Sequence, residues 1–172
     1  MKPLHLLTAL LITLCCFAQR EKPVSLRFTG QFDFAVRGMG LNDAGMGVQT
    51  AVSFFAHKRV QLLTEGGNHW YIGDKSLRLG PDGKALPNGS LHTLQAGPQV
   101  FLTPTLALCA TYGVALHRHH ERDYDLDEGY RVGLTGYFGN GNNFITQVSW
   151  MQVPGPEVTI RHFGIGVGYR LL

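Results

Sequence analysis

The sequence predicts an all-β fold, an eight-stranded antiparallel up-and-down β-barrel whose strands cross a bilayer. Three observations carry that expectation. In residues 26–37, LRFTGQFDFAVR, the even positions are Leu26, Phe28, Gly30, Phe32, Phe34 and Val36, while the odd ones are Arg27, Thr29, Gln31, Asp33, Ala35 and Arg37. This is the strand period of two, with one greasy face and one polar face. The pattern returns seven more times at lengths near the roughly 9–11 residues that a tilted strand needs to span a bilayer. The connections between these segments also alternate long and short, apart from the brief 154–157 that should be external, as transmembrane barrels alternate outer loops with periplasmic turns.

Taken in order, the first strand (26–37) is followed by a glycine-containing loop at 38–45. That loop lacks the Gly-Lys-Ser/Thr of a phosphate loop, and no helix pattern follows it. Strand two covers 46–56, with Met46, Val48, Val52 and Phe54 on one face and Gln49 and Ser53 on the other; His57-Lys58-Arg59 is a tight turn. Strand three, 60–72, places Val60, Leu62, Trp70 and Ile72 against Gln61, Glu65 and His69. Gly66 and Asn68 fall on its apolar face, so a bulge is expected there.

The loop at 73–89 is the longest. Strand four, 91–102, contains Pro98, which cannot donate to a ladder and argues against a regular strand. Thr103-Pro104 turns the chain. Strand five, 105–117, alternates cleanly from Leu106 to Leu116, and a charged loop follows at 118–128. Strand six is 130–138, and Gly139-Asn140-Gly141-Asn142-Asn143 is turn chemistry. Strand seven is 144–153, ended by Pro154-Gly155-Pro156. The last strand, 158–171, alternates Phe163, Ile165, Val167, Tyr169 and Leu171 with Gly164, Gly166, Gly168 and Arg170. Val158 and Ile160 fall on the opposite set, so its parity is expected to slip near Arg161.

Composition agrees with this scheme. Glycine is high at 22 residues and charged residues are low at 16%. Mean hydropathy sits near zero, as expected of a barrel whose two faces cancel. Residues 1–18 have the form of a secretory signal peptide: Lys2, an apolar run over 4–17, and Cys16-Phe17-Ala18 before the cut. The run of about 14 residues is short of the roughly 18–20 of a spanning helix. Leu14 before Cys15 argues against a lipoprotein site, which wants a small residue there. With the leader removed, residues 19–172 form the barrel domain and Cys109 is the one remaining cysteine, so no internal disulfide forms. The formal charge of +3 is too small to argue for nucleic acid.

Aromatics give a further check. Phe28, Phe54, Phe138, Phe144 and Tyr169 lie on the expected outer face near the short turns, and Trp70, Tyr130 and Trp150 near the long loops. Two such girdles suit headgroup-level rings.

The leader ending Phe17-Ala18-Gln19, the opening Gly30-Gln31-Phe32-Asp33-Phe34, the eight alternating strands and the terminal run from Gly164 to Arg170 resemble the small outer-membrane β-barrel proteins of the Bacteroidetes type. The resemblance implies insertion by the outer-membrane assembly machinery, which reads the last strand, and contact with outer-membrane lipid and lipopolysaccharide. Members commonly end on an aromatic, whereas this chain ends Leu171-Leu172; Tyr169 can stand in. Roles in that group range over adhesion, envelope stability and lipid-modifying enzymes.

The inward set includes Arg27, Asp33, Arg37, Glu65, Arg131 and Gln147, which are expected to pair into a polar plug, with Cys109 as a small filler. His117, His119 and His120 stand beside Glu121, Asp123, Asp125, Asp127 and Glu128. Alternate aspartates resemble the start of a calcium loop, but Glu128 and Leu134 stand where that loop needs glycine and glutamate. A solvated outer loop is the expectation, able to bridge to lipopolysaccharide through divalent ions. His69, His117 and Ser149 are inward candidates for lipid chemistry, though no motif fixes a triad. The sequence therefore assigns no catalytic, cofactor-binding or metal-binding residue. It predicts a monomeric, non-enzymatic envelope barrel with a structural or surface-interaction role, its contact surface at 73–89 and 118–128. Two other readings are a secreted calycin-like barrel, in which the apolar face would line a ligand pocket, and a barrel enzyme acting on lipid.

Overall fold

The computed structural model of the chain describes residues 24–37, 44–57, 59–72, 78–79, 84–85, 89–118, 125–139, 141–155 and 159–171. Among the described residues ten strands are formed: β1 (Val24–Arg37), β2 (Ala44–His57), β3 (Val60–Tyr71), β4 (Arg78–Leu79), β5 (Lys84–Ala85), β6 (Gly89–Thr103), β7 (Leu106–Arg118), β8 (Asp125–Phe138), β9 (Phe144–Pro154) and β10 (Thr159–Leu171). Eight of them close a barrel in the order β1-β10-β9-β8-β7-β6-β3-β2, while β4 and β5 make a separate hairpin. Every barrel pairing is antiparallel, and closure comes from β1 against β10, with Leu26 opposite Leu171 and Phe34 opposite Phe163. Closure leaves no free edge, which a bilayer requires because no water is present to satisfy unpaired backbone groups.

Alternation becomes sidedness. Along β9 the exposure pattern switches residue by residue: Ile145, Gln147, Ser149, Met151 and Val153 are buried inside, whereas Phe144 and Val148 face out. The wall is thus polar within and apolar without. Phe32 is 62% and Val167 67% exposed, while Asp33, His69 and Arg131 are 0% exposed. A soluble calycin-like barrel would show the reverse, so the apolar-pocket reading does not fit this lumen.

Four expectations need correction. Strand β8 begins at Asp125, not at Tyr130. The acidic stretch pairs with β7 as far as His117 opposite Asp125, so ladder hydrogen bonds override its loop-like composition. Strand β3 carries no bulge against β6, because its register runs unbroken from Val60 opposite Val100 to Tyr71 opposite Gly89. Asn68 does face outward, where its side chain meets His92 across the strands at 2.6 Å. Strand β10 keeps one parity from Thr159 onward, with Ile160 buried on the inner face; the register shift at this height lies in β1, between Ala35 and Arg37. Strand β6 continues through Pro98, and its pairing with β7 holds the same register on either side of it, with Ala96 opposite Tyr112 and Gln99 opposite Cys109.

Inside, three small apolar clusters separate the polar side chains. Tyr71, Leu91, Ala115, Met151, Val153 and Ile160 fill the long-loop end. Ala51, Leu63 and Cys109 sit at mid-height. Ala107, Tyr137 and Ile145, with Phe101 against them, close the short-turn end. The β8–β9 turn uses left-handed backbone at Gly139 (φ 81°), Gly141 (φ 79°) and Asn142 (φ 57°), residue types that tolerate it.

Candidate functional site

Two surfaces of this barrel carry chemistry: the lumen and the outer wall. The lumen is built from inward positions of all eight wall strands. At its centre Glu65 (β3) accepts from Arg131 Nε at 2.7 Å, from Arg131 Nη2 and from Thr111 Oγ1 at 2.7 Å. Arg27 Nη2 lies 3.5 Å from the same carboxylate. Arg27 also donates to Gln99 Oε1 at 3.4 Å and Tyr137 Oη at 3.5 Å. Cys109 is buried as a filler, with Sγ 3.7 Å from Arg131 Nη2. Gln147 donates to Gln49 Oε1 at 3.0 Å. The inward set read from alternation therefore does pair, as the cost of an isolated buried charge demands. Arg37's side chain, together with His119, His120, Glu121 and Asp123, lies outside the described residues, as does the stretch 1–18.

A second network sits toward the long-loop end. Asp33 (β1) accepts from His69 Nδ1 (β3) at 2.7 Å and from the Gln31 amide. Tyr71 Oη is hydrogen-bonded to His162 Nδ1 (β10), and the His69 and His162 rings stand 5.1 Å apart between centroids. Sequence reasoning placed Asp33 and His69 inward but did not join them, and it missed His162 and Tyr71. Carrying the Gly164-Gly166-Gly168 parity back two residues would have put His162 on the inner face.

The three candidates for lipid chemistry do not meet as a triad. Ser149 is buried near Asp33: a Cβ on Gly164 would stand 3.1 Å from Ser149 Oγ and 3.0 Å from Asp33 Oδ1. Its hydroxyl has no partner. His117 is elsewhere, at the long-loop rim, with Nε2 2.8 Å from Asp127 Oδ2. Glu128 turns outward and accepts from the Tyr112 hydroxyl. The described acidic residues therefore divide between the two faces of β8 and do not converge on one ion.

The outer wall is an apolar belt with aromatic ends. Phe28, Phe54, Phe138, Phe144 and Tyr169 are exposed near the short turns, with the Phe144 and Tyr169 rings edge-to-face at 5.5 Å. Trp70 and Tyr130 are exposed toward the long-loop end. Arg161 Nε donates to Gln152 Oε1 at 3.0 Å between β10 and β9, near the same end.

No family model matches the chain, and no curated protein matches it either. Solved structures do. The fold is that of the small eight-stranded outer-membrane barrels. Ail, the attachment invasion locus protein of Yersinia pestis, solved with the heparin analogue sucrose octasulfate, superposes with a TM-score of 0.60 at 16% identity, covering 86% of this chain and 98% of that one. Neisserial surface protein A gives 0.58 at 10% identity, covering 87% and 96%. The N-terminal β-barrel domain of OprF from Pseudomonas aeruginosa gives 0.54 at 18%, covering 86% and 97%. At these identities the likeness concerns the fold alone, a closed eight-stranded antiparallel barrel.

Proposed function

We propose that the protein is a monomeric barrel of the Gram-negative outer membrane, exported by the leader at 1–18 and inserted by the outer-membrane assembly machinery. One observation carries the reading. Ionisable groups are buried in the lumen while Phe32, Val167, Leu126 and their neighbours stand exposed outside. In water such a wall would leave an apolar patch far larger than soluble monomers tolerate. In lipid it is the stable arrangement, because the belt meets acyl chains and the girdles meet headgroups. Outer-membrane lipid and lipopolysaccharide are then its immediate partners.

The Glu65 and Asp33 networks and the three apolar clusters all project into the lumen, which supports reading the barrel as a stiff plug and not as a pore. Its role is structural or interactive, exercised through the outer loops at 73–89 and after β7, and it needs no catalysis. The Bacteroidetes affiliation is part of the same proposal and rests on the residue runs 30–34 and 164–170.

Heat-modifiability tests the membrane assignment. The chain is folded into detergent micelles and run on a gel with and without boiling, beside a sample held in plain buffer. The expected result is a faster band for the unboiled micellar sample and no folded species in buffer. A chain that folds and stays soluble without detergent would refute it.

A further inference from the structure

The Asp33 network has more ligating capacity than its hydrogen bonds use. Asp33, His69 and His162 each offer one ligand atom, and these atoms lie within 4.8 Å of one another, all three residues being buried. His69 Nε2 and His162 Nε2 are both buried and both lack a partner. So does the Gln31 carbonyl oxygen, whose amide already donates to Asp33. Each of these nitrogens carries the desolvation penalty of an unsatisfied buried polar atom, which a bound cation would offset.

The hydrogen bonds that do exist prepare those nitrogens. A carboxylate only accepts, so His69 Nδ1 carries the proton it gives to Asp33, and His69 Nε2 is left with a free lone pair. His162 can place its Nδ1 proton on the Tyr71 oxygen in the same way. Backbone shape keeps one of the two uncovered: a Cβ on Gly67 would stand 2.7 Å from His69 Nε2. Charge points the same way. The two buried guanidinium groups, Arg27 and Arg131, both engage Glu65, so Asp33 has no guanidinium partner among the described residues.

We propose that His69 and His162, with Asp33 holding His69 from behind, bind a divalent transition-metal ion of the zinc class inside the lumen. The imidazole nitrogens ligate, Asp33 orients His69 and balances the charge, and Gln31 Oε1 or water completes the shell. Imidazole ligands suit Zn²⁺ or Co²⁺, whereas Ca²⁺ and Mg²⁺ take oxygen. The ion would pin β3 to β10, with Asp33 of β1 behind His69, near the seam where the barrel closes.

The test uses the full chain without a histidine tag, refolded from urea into micelles with Co²⁺ or Zn²⁺ present, so that a closed lumen cannot exclude the ion. Folding is read separately by the gel shift. After desalting, about one ion per folded chain is expected, with the visible bands of low-coordinate Co²⁺. His69→Gln and His162→Gln should each weaken retention at least tenfold, as loss of a ligand or its orienting partner does, and His117→Gln should not. Ca²⁺ or Mg²⁺ in excess should not displace the ion. Folded chain that retains no metal, or whose His69→Gln and His162→Gln variants retain it as well as the unmodified chain, overturns the proposal. Should the lumen variants fail to fold, a chain with His117, His119 and His120 all changed to glutamine serves instead. Retention of one ion there supports the lumen site, and its loss assigns the binding to the charged loop and refutes the proposal.

Discussion

Replacing Glu65 by glutamine perturbs the lumen where most of its charge meets. The carboxylate takes two hydrogen bonds from Arg131 and one from Thr111, and stands 3.5 Å from Arg27. Its removal leaves two guanidinium groups, 0% and 3% exposed, with no anion beside them. Breaking a buried pair in this way costs about 3–5 kcal/mol, a drop of two orders of magnitude or more in the folding equilibrium. Arg131→Met is a milder change, because Glu65 keeps Arg27 and Thr111; the expected loss is about 1.5–3 kcal/mol, the worth of hydrogen bonds to a charged group. The double variant Glu65→Leu/Arg131→Met removes the strongest pair together and should fall below Glu65→Gln alone. Equilibrium urea unfolding in phospholipid vesicles, followed by the fluorescence of Trp70 and Trp150, gives all three values. The reasoning is refuted if Arg131→Met costs as much as Glu65→Gln, or if Glu65→Gln changes stability by less than about 0.5 kcal/mol.

Two further predictions concern the wall. Ile165, exposed on the outer face midway along β10 and paired with Phe32 and Val148, should cost about 2–4 kcal/mol as Ile165→Arg in vesicles, whereas Phe138→Arg near the short-turn end should cost about 1 kcal/mol or less; equal costs would mean that the belt has no depth dependence and does not face lipid. Gly67→Val should lower stability by about 1–3 kcal/mol through overpacking, since its Cβ would meet His69 Nε2 at 2.7 Å and Thr93 Oγ1 at 2.8 Å. Gly30→Ala, where a Cβ meets nothing within 4 Å, is the control, and both are read by the same urea titration.

Strand content was legible wherever hydrophobicity alternated, as in β1, β7 and β9, because a pleated backbone forces neighbours to opposite faces whatever the rest of the chain does. It was illegible where composition and pairing disagreed. Asp125 to Glu128 look like loop, yet they extend β8 because β7 offers a matching row of backbone groups out to His117. Ile160 looked like a parity error because an apolar residue was assumed to face lipid. It faces inward, where Tyr71, Leu91, Met151 and Val153 close the lumen. Asn68 looked like a defect in β3 because its cross-strand partner, His92, belongs to another segment.

By itself, then, the sequence determined the fold class, the side to which most wall residues point, and the polar nature of the lumen, all of which follow from a local period of two. Which lumen residues meet was decided only by the tertiary structure. Arg27 reaches Glu65, and Asp33 reaches His69, through the stagger of non-adjacent strands and the closure of β1 on β10. His162 joins that layer from the far end of the chain. Stagger and closure are sums over all eight barrel strands, so no local stretch encodes them.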